Sequence, residues 1–325
     1  MKRLDAKLAR LRSSYHPRDF IIADAKDGDM GFGRTAPGPS RERPGKLKSK
    51  PEYLAAMQEM SESGLVDVML MSASSAEALA ARGVFAGGDV TPAVRLNDTT
   101  DIWTMRSGRY RESASRPFRS ASIPRVRAFA DLGLYSMTFS NDLDRDLANV
   151  EAYRAFRDEA VTAGMRHFLE IFNPAIDIGI AGEDLALFVN DVIVRSLAGL
   201  TAAEQPLFLK MPYNGPRAME ELASYDPSNL IVGILGGAKG TTRDTFELVS
   251  QAARHGARVA LFGRKINLAE APLELVGLMR RVIEGDVSAQ EAVRVYHDRL
   301  GKLGLNPTLP LAEDGEITEA ILKAG

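Results

Sequence analysis

The sequence predicts an α/β protein, a single (β/α)8 TIM barrel spanning residues 1–325, with extended loops after its first and third strands. Three observations predict it. Short apolar runs rich in β-formers alternate with longer helical patterns along the whole chain. There are eight such runs, the number that closes a barrel. The two stretches that break the alternation both follow a strand, at the barrel end where sites are built. Alternation alone also fits an open, doubly wound sheet.

The elements follow in order. The opening MKRLDAKLARLRSS is basic, with Leu4, Leu8 and Leu11 at helical spacing, and predicts a short surface helix. It lacks the apolar core of a secretory signal. Phe20–Asp24 is the first strand, and Gly31–Pro51, rich in Gly, Pro, Lys and Arg, is the first irregular stretch. Pro51 and Glu52 suit a first helical turn, Tyr53, Met57 and Met60 share its buried face, and Gly64 ends the helix. Val66–Met71 and Ala93–Leu96 are the next strands. The second irregular stretch, Asn97–Arg127, carries Arg106, Arg109, Arg111, Arg116, Arg119, Arg125 and Arg127. A basic lid over an anionic substrate and a solvated or subunit-contact surface both fit it.

Gly133–Phe139, His167–Phe172, Leu207–Met211 and Ile231–Leu235 continue the strand series. Thr241 and Asp244 then start a helix in the manner of a capping box, Phe246, Val249 and Ala253 form its apolar face, and Gly256 ends it before the last strand, Val259–Phe262. The stretch Ser288–Gly325 has helical patterns suited to covering the barrel or a partner.

Composition narrows the function. The 325 residues carry 41 Lys and Arg against 43 Asp and Glu, so no basic field points to nucleic acid. No apolar run reaches membrane-spanning length. Cysteine is absent, which excludes thiol catalysis and thiolate metal sites and suits a reducing cytoplasm. The four histidines, His16, His167, His255 and His297, are scattered. His167 and Glu170, three apart on a strand, face opposite sides, so no metal site is expected.

Lys210 is the most informative residue. In PLFLKMPYNG, Leu207, Leu209 and Met211 share one face of the strand and Phe208 and Lys210 the other. A lysine at the C-terminal end of the inner face lies where substrates bind and, in a partly dry site, attacks a carbonyl as the free amine. The alternative is a packed stem with the charged head at the rim. Glu170 and Asp24 occupy matching places on two other strands, as proton carriers or as counter-charges. Lys26 and Asp27, just beyond, belong to the site or to the loop. Gly236 and Gly237 follow the seventh strand and Gly263 and Arg264 the eighth, an arrangement that lets backbone N–H groups and one cation meet a phosphate.

At these residues the chain resembles the class I aldolases of the archaeal-type fructose-bisphosphate, tagatose-bisphosphate and deoxyribose-phosphate superfamily. The closest likeness is GILGGAKGTTRDTFELVSQAARHGARVALFGRKI, which resembles their phosphate unit from the seventh strand to the eighth. The strand ending in Lys210 resembles their Schiff-base strand, IIADAKDG their first strand with its aspartate at Asp24, and Glu170 the fifth-strand glutamate of the tagatose branch. The likeness runs from about Phe20 to Arg281 and departs at GLYSMTFSND. There Phe139 falls near the tyrosine of the archaeal-type enzymes and Tyr135 near the lysine of the tagatose branch. Tyr135, if it points inward, is the acid/base candidate, and Tyr213 is a second.

The resemblance implies a Schiff-base lyase of carbohydrate metabolism, acting on a phosphorylated ketose or related keto sugar without a cofactor, and assembling as a homo-oligomer. Lys210, Asp24, Glu170 and Tyr135 would be catalytic, and Gly236, Gly237, Gly263 and Arg264 would bind phosphate. Two other functions fit the same scaffold: a thiolase- or transaldolase-like transfer, and a sugar-phosphate-binding barrel without catalysis.

Overall fold

Eight short parallel strands form one sheet in the computed structural model, which describes residues 1–324. They are β1 (Ile21–Lys26), β2 (Val68–Met71), β3 (Thr91–Arg95), β4 (Leu132–Thr138), β5 (Arg166–Phe172), β6 (Leu209–Lys210), β7 (Gly233–Leu235) and β8 (Val259–Phe262). Sequence neighbours pair in parallel from β1 to β6 and from β7 to β8, and β1 also pairs with β8. The last gap closes where Met211 N donates to Gly233 O (3.0 Å) and Leu235 N to Met211 O (2.8 Å). The sheet is therefore a TIM barrel, with helices between its strands.

Side-chain alternation divides the core in two. Outward residues such as Met69, Val94, Met137, Ile171, Leu209 and Ala260 pack under the helices. Inward residues such as Ala23, Leu70, Ala93, Leu134, Phe168, Phe208 and Leu261 fill the lumen. Leu4, Leu8 and Leu11 belong to this second cluster. The helix Arg3–Leu11 is thus a plug in the N-terminal end of the barrel, where the sequence suggested a surface element. It is held there by polar bonds: Lys7 Nζ donates to Phe20 O (2.8 Å) and Asp67 Oδ2 (3.0 Å). The open lumen floor, which only the assembled barrel creates, supplies the apolar surface that the leucines cover.

Both anticipated helices start where expected, and the capping box foreseen at Thr241 has an unforeseen counterpart at Ser49. Ser49 and Glu52 cap Lys50–Glu62 reciprocally, and Thr241 and Asp244 do the same for Thr242–Arg254. Beyond β8, the helix Ala289–Lys302 packs against Thr242–Arg254. Among the described residues, no helix is long and apolar enough to cross a membrane.

Candidate active site

Register builds the site. Ser136 on β4 is the partner of Glu170 on β5, and Glu170 is the partner of Lys210 on β6, so three polar side chains lie abreast at the C-terminal end of the lumen. Lys210 Nζ is 2.6 Å from Glu170 Oε1. Ser136 Oγ donates to the other oxygen, Glu170 Oε2, at 2.7 Å. Arg95, inward at the end of β3, spans the lumen: its Nη2 donates to Glu170 Oε2 (2.9 Å), its Nη1 to Ser136 Oγ (2.7 Å) and its Nε to Asp27 Oδ2 (2.6 Å). The result is an alternating row, Lys210, Glu170, Arg95 and Asp27, all of it buried.

Such a row is rigid because each buried charge depends on the next. Removing one partner leaves another unpaired at a cost of about 3–5 kcal/mol. Burial pushes the Asp27 carboxyl up, but Arg95 and Lys210 outweigh it and hold Asp27 below the usual carboxylate range. Burial likewise opposes the Arg95 charge, and Asp27 and Glu170 overcome it, so the guanidinium stays protonated. Asn97 fixes the level of β4, donating through Nδ2 to Ser136 O and accepting from Ser136 N, each at 2.7 Å.

Above this row lies a cavity of about 230 Å3. Its walls include Asp27, Arg95, Glu170 and Lys210, the loop residues Asp101, Thr104 and Arg111, and the glycine-rich ends of β7 and β8. Gly236, Gly237, Gly263 and Arg264 all line it. Gly237 has a φ of +67°, open to glycine at no steric cost. A Cβ on Gly263 would come within 2.9 Å of Ala25 O, so only glycine lets the backbone pass there. Burial and the nearby Arg111 charge together press the Arg264 pKa down, the mark of a cation lacking an anion. Among the described residues there is no cluster of His, Cys, Asp and Glu suited to a metal ion.

Two anticipated catalytic residues lie elsewhere, and both placements correct the sequence reading. Asp24 is on the outward face of β1, between Ile22 and Lys26, and its two oxygens accept from Lys26 Nζ at 2.7 Å. Burial raises its pKa, and the ion pair with Lys26 only partly offsets this. β1 runs on to Lys26, so the inward series is Ile21, Ala23, Ala25 and then Asp27, which takes the lumen position. Tyr135 also faces outward, packed against Phe156 (4.5 Å between ring centroids) and Tyr153 (5.0 Å), and burial raises its pKa. Tyr213 is buried under the helices, its phenol pushed up to about 12 by burial. The inward residues of β4 at this level are Ser136 and Thr138; Thr138 donates to Asp101 Oδ2 at 2.8 Å.

Arg95 and Ser136 were not anticipated. The signal for Arg95 was a lone cation sharing a strand face with Ala93, the same kind of signal that exposed Lys210.

No family model matches the chain. A solved archaeal fructose-1,6-bisphosphate aldolase, with its catalytic Lys covalently bound to the carbinolamine intermediate of the substrate, superposes with a TM-score of 0.58 over 87% of this chain and all of that one, at 16% identity. The fold is that of the class I aldolases. Two curated relatives match part of the chain. An uncharacterized aldolase of Pasteurella multocida is 28% identical over 125 residues, 38% of this chain and 41% of that protein. A 3-hydroxy-5-phosphonooxypentane-2,4-dione thiolase of Yersinia enterocolitica is 27% identical over 138 residues, 42% of this chain and 44% of that protein. The matches thus span about two fifths of the length of each curated relative.

Proposed function

We propose that this chain is a class I aldolase that makes or breaks a C–C bond in a phosphorylated ketose or related keto sugar through an imine on Lys210. The observation that carries this reading is the Lys210–Glu170 pair, 2.6 Å apart on the lumen wall beneath the cavity. The phosphate docks on Gly236, Gly237, Gly263 and Arg264, which sets the carbonyl over Lys210. Glu170 takes the proton that frees the amine. Nζ attacks the carbonyl carbon, and the carbinolamine loses water with Glu170 returning the proton to the departing oxygen. The protonated imine then draws in the electron pair of the neighbouring C–C bond. The β-hydroxyl gives its proton to Glu170, again a carboxylate, as that carbon leaves as an aldehyde; the enamine takes the proton back on carbon, and water hydrolyses the imine to free Lys210. Arg95, bonded to Asp27, Ser136 and Glu170, positions the glutamate through these steps.

A thiolase-like reading draws on the Yersinia relative. In that case the fragment is handed as an acyl group to a thiol acceptor, and product formation requires coenzyme A.

The test is borohydride reduction in the presence of dihydroxyacetone phosphate, fructose 1,6-bisphosphate or a wider panel of phosphorylated ketoses, followed by peptide mass spectrometry. The expected result is a stable adduct on Lys210, absent from Lys210→Ala. An adduct on another lysine, or none with any keto compound, overturns the imine reading and leaves a sugar-phosphate-binding barrel.

A further inference from the structure

The loop after β3 is a strap that reaches across the mouth of the barrel. Its base is stapled by a short antiparallel hairpin, Asn97–Thr99 with Pro117–Arg119. Asp101 accepts from Ser115 Oγ at 2.8 Å and from Thr138 Oγ1 at 2.8 Å, tying the strap to β4. Thr104 N then donates to Gly31 O (2.9 Å), so the strap crosses the loop that follows β1. Trp103 packs edge-on to Tyr110 (5.1 Å) and Phe118 (5.2 Å), which anchors the far limb. The next residue is Arg111, and it enters the cavity wall beside Arg264.

Charge is distributed unevenly around this cavity. Arg111 is the one arginine of the strap's seven that lines it. Arg109 and Arg119 are held outside by Glu112 and Glu159. Arg111 and Arg264 both reach the cavity at the β8 side with no carboxylate against them. Toward β3 and β5 the wall presents Asp101 and Glu170, and Asp27, at the end of β1, is turned to Arg95. Arg95 is the cation at that end, and its charge is already paired with Asp27 and Glu170. Thr104 Oγ1, also in the wall, is buried without a partner and can meet a hydroxyl.

We propose that Arg111 closes over Arg264 as the second arm of a phosphate clamp, and that the substrate carries this one phosphate only, its other end being uncharged and hydroxylated. The substrate-class part rests on the aldolase reading; the clamp does not. A second phosphate at the far end would meet Asp101 and Glu170, and the cations there, Arg95 and Lys210, are already paired with carboxylates. A hydroxylated end would instead donate to Asp101 and bond Thr104.

Calorimetric binding of inorganic phosphate and glycerol 3-phosphate tests the clamp, since neither ligand can form an imine. Arg111→Ala and Arg264→Ala should each weaken binding by about tenfold or more, while Arg106→Ala, altering a strap arginine outside the cavity, leaves it unchanged. Fructose 1-phosphate should bind at least as tightly as fructose 1,6-bisphosphate. Undiminished phosphate binding by an Arg111→Ala protein of normal melting temperature overturns the clamp. A bisphosphate that binds about tenfold more tightly than the monophosphate overturns the single-phosphate assignment. Loss of phosphate binding in Arg111→Ala, with no imine from any ketose, sinks the aldolase reading and leaves the clamp standing. An imine on Lys210 with phosphate binding indifferent to Arg111 does the reverse.

Discussion

Lys210 and Glu170 lie 2.6 Å apart because they are register partners on adjacent strands, so their contact is set by the backbone and not by long flexible arms. Tyr135 sits two strands from Lys210 but on the other side of the sheet, where its ring packs on Phe156 and Tyr153. Tyr135→Phe should therefore leave the rate of imine trapping within about twofold of the parent, a change of under about 0.5 kcal/mol in barrier. A loss of a hundredfold or more would return the phenol to the chemistry. The residue scale also shows what sequence can reveal. Lys210 and Glu170 were legible because a charge in an apolar strand has to be accounted for, and PLFLKMP has one clear phase. In FIIADAKDG small and apolar residues occupy both phases, so alternation cannot say which aspartate turns inward, and the lumen took Asp27. Tyr135 failed for the same reason, since LGLYSMT is buried along its whole length.

Elements were legible where local chemistry makes them. The reciprocal caps at Ser49–Glu52 and Thr241–Asp244 stand where the sequence put helix starts, and strand positions agree to within a few residues. The role of the helix Arg3–Leu11 was not legible, because an amphipathic stripe looks the same whether it covers the barrel wall or its floor. Leu4, fully buried against the lumen residues, is the test of that role. Leu4→Ala should destabilise the protein by about 3 kcal/mol, read from urea unfolding, because the barrel floor cannot collapse to fill the gap. A cost below about 0.5 kcal/mol would mean that the helix only lies on a surface. The strap was legible as an insertion in the right place, but its seven arginines gave no sign that a single one enters the cavity.

For the whole molecule, eight strands predicted a barrel and the sheet closes as one, through the contact of β6 with β7. A barrel buries what lies between strands and helices, including His167, whose Nε2 is 2.8 Å from the Tyr153 hydroxyl. Burial lowers the His167 pKa from the ordinary 6.5 to about 3. Between those values the unfolded chain takes up a proton that the folded chain refuses, so stability present above about pH 6.5 is lost as the pH falls. From pH 7 to pH 5 this site should cost the folded state about 2 kcal/mol. Urea unfolding at the two pH values should show that loss in the parent and a clearly smaller one in His167→Gln. Equal losses in both proteins would assign the acid sensitivity to other groups.

The plugged floor also decides how matter moves through the molecule. With Leu4, Leu8 and Leu11 sealing one end, the lumen is a blind alley that opens at the cavity lined by the strap. Whatever enters must retrace its route to leave, past whatever still occupies the threshold. On the proposed chemistry the enamine half stays bound to Lys210 while its partner departs past the strap, so the two halves leave in a fixed order, the aldehyde first.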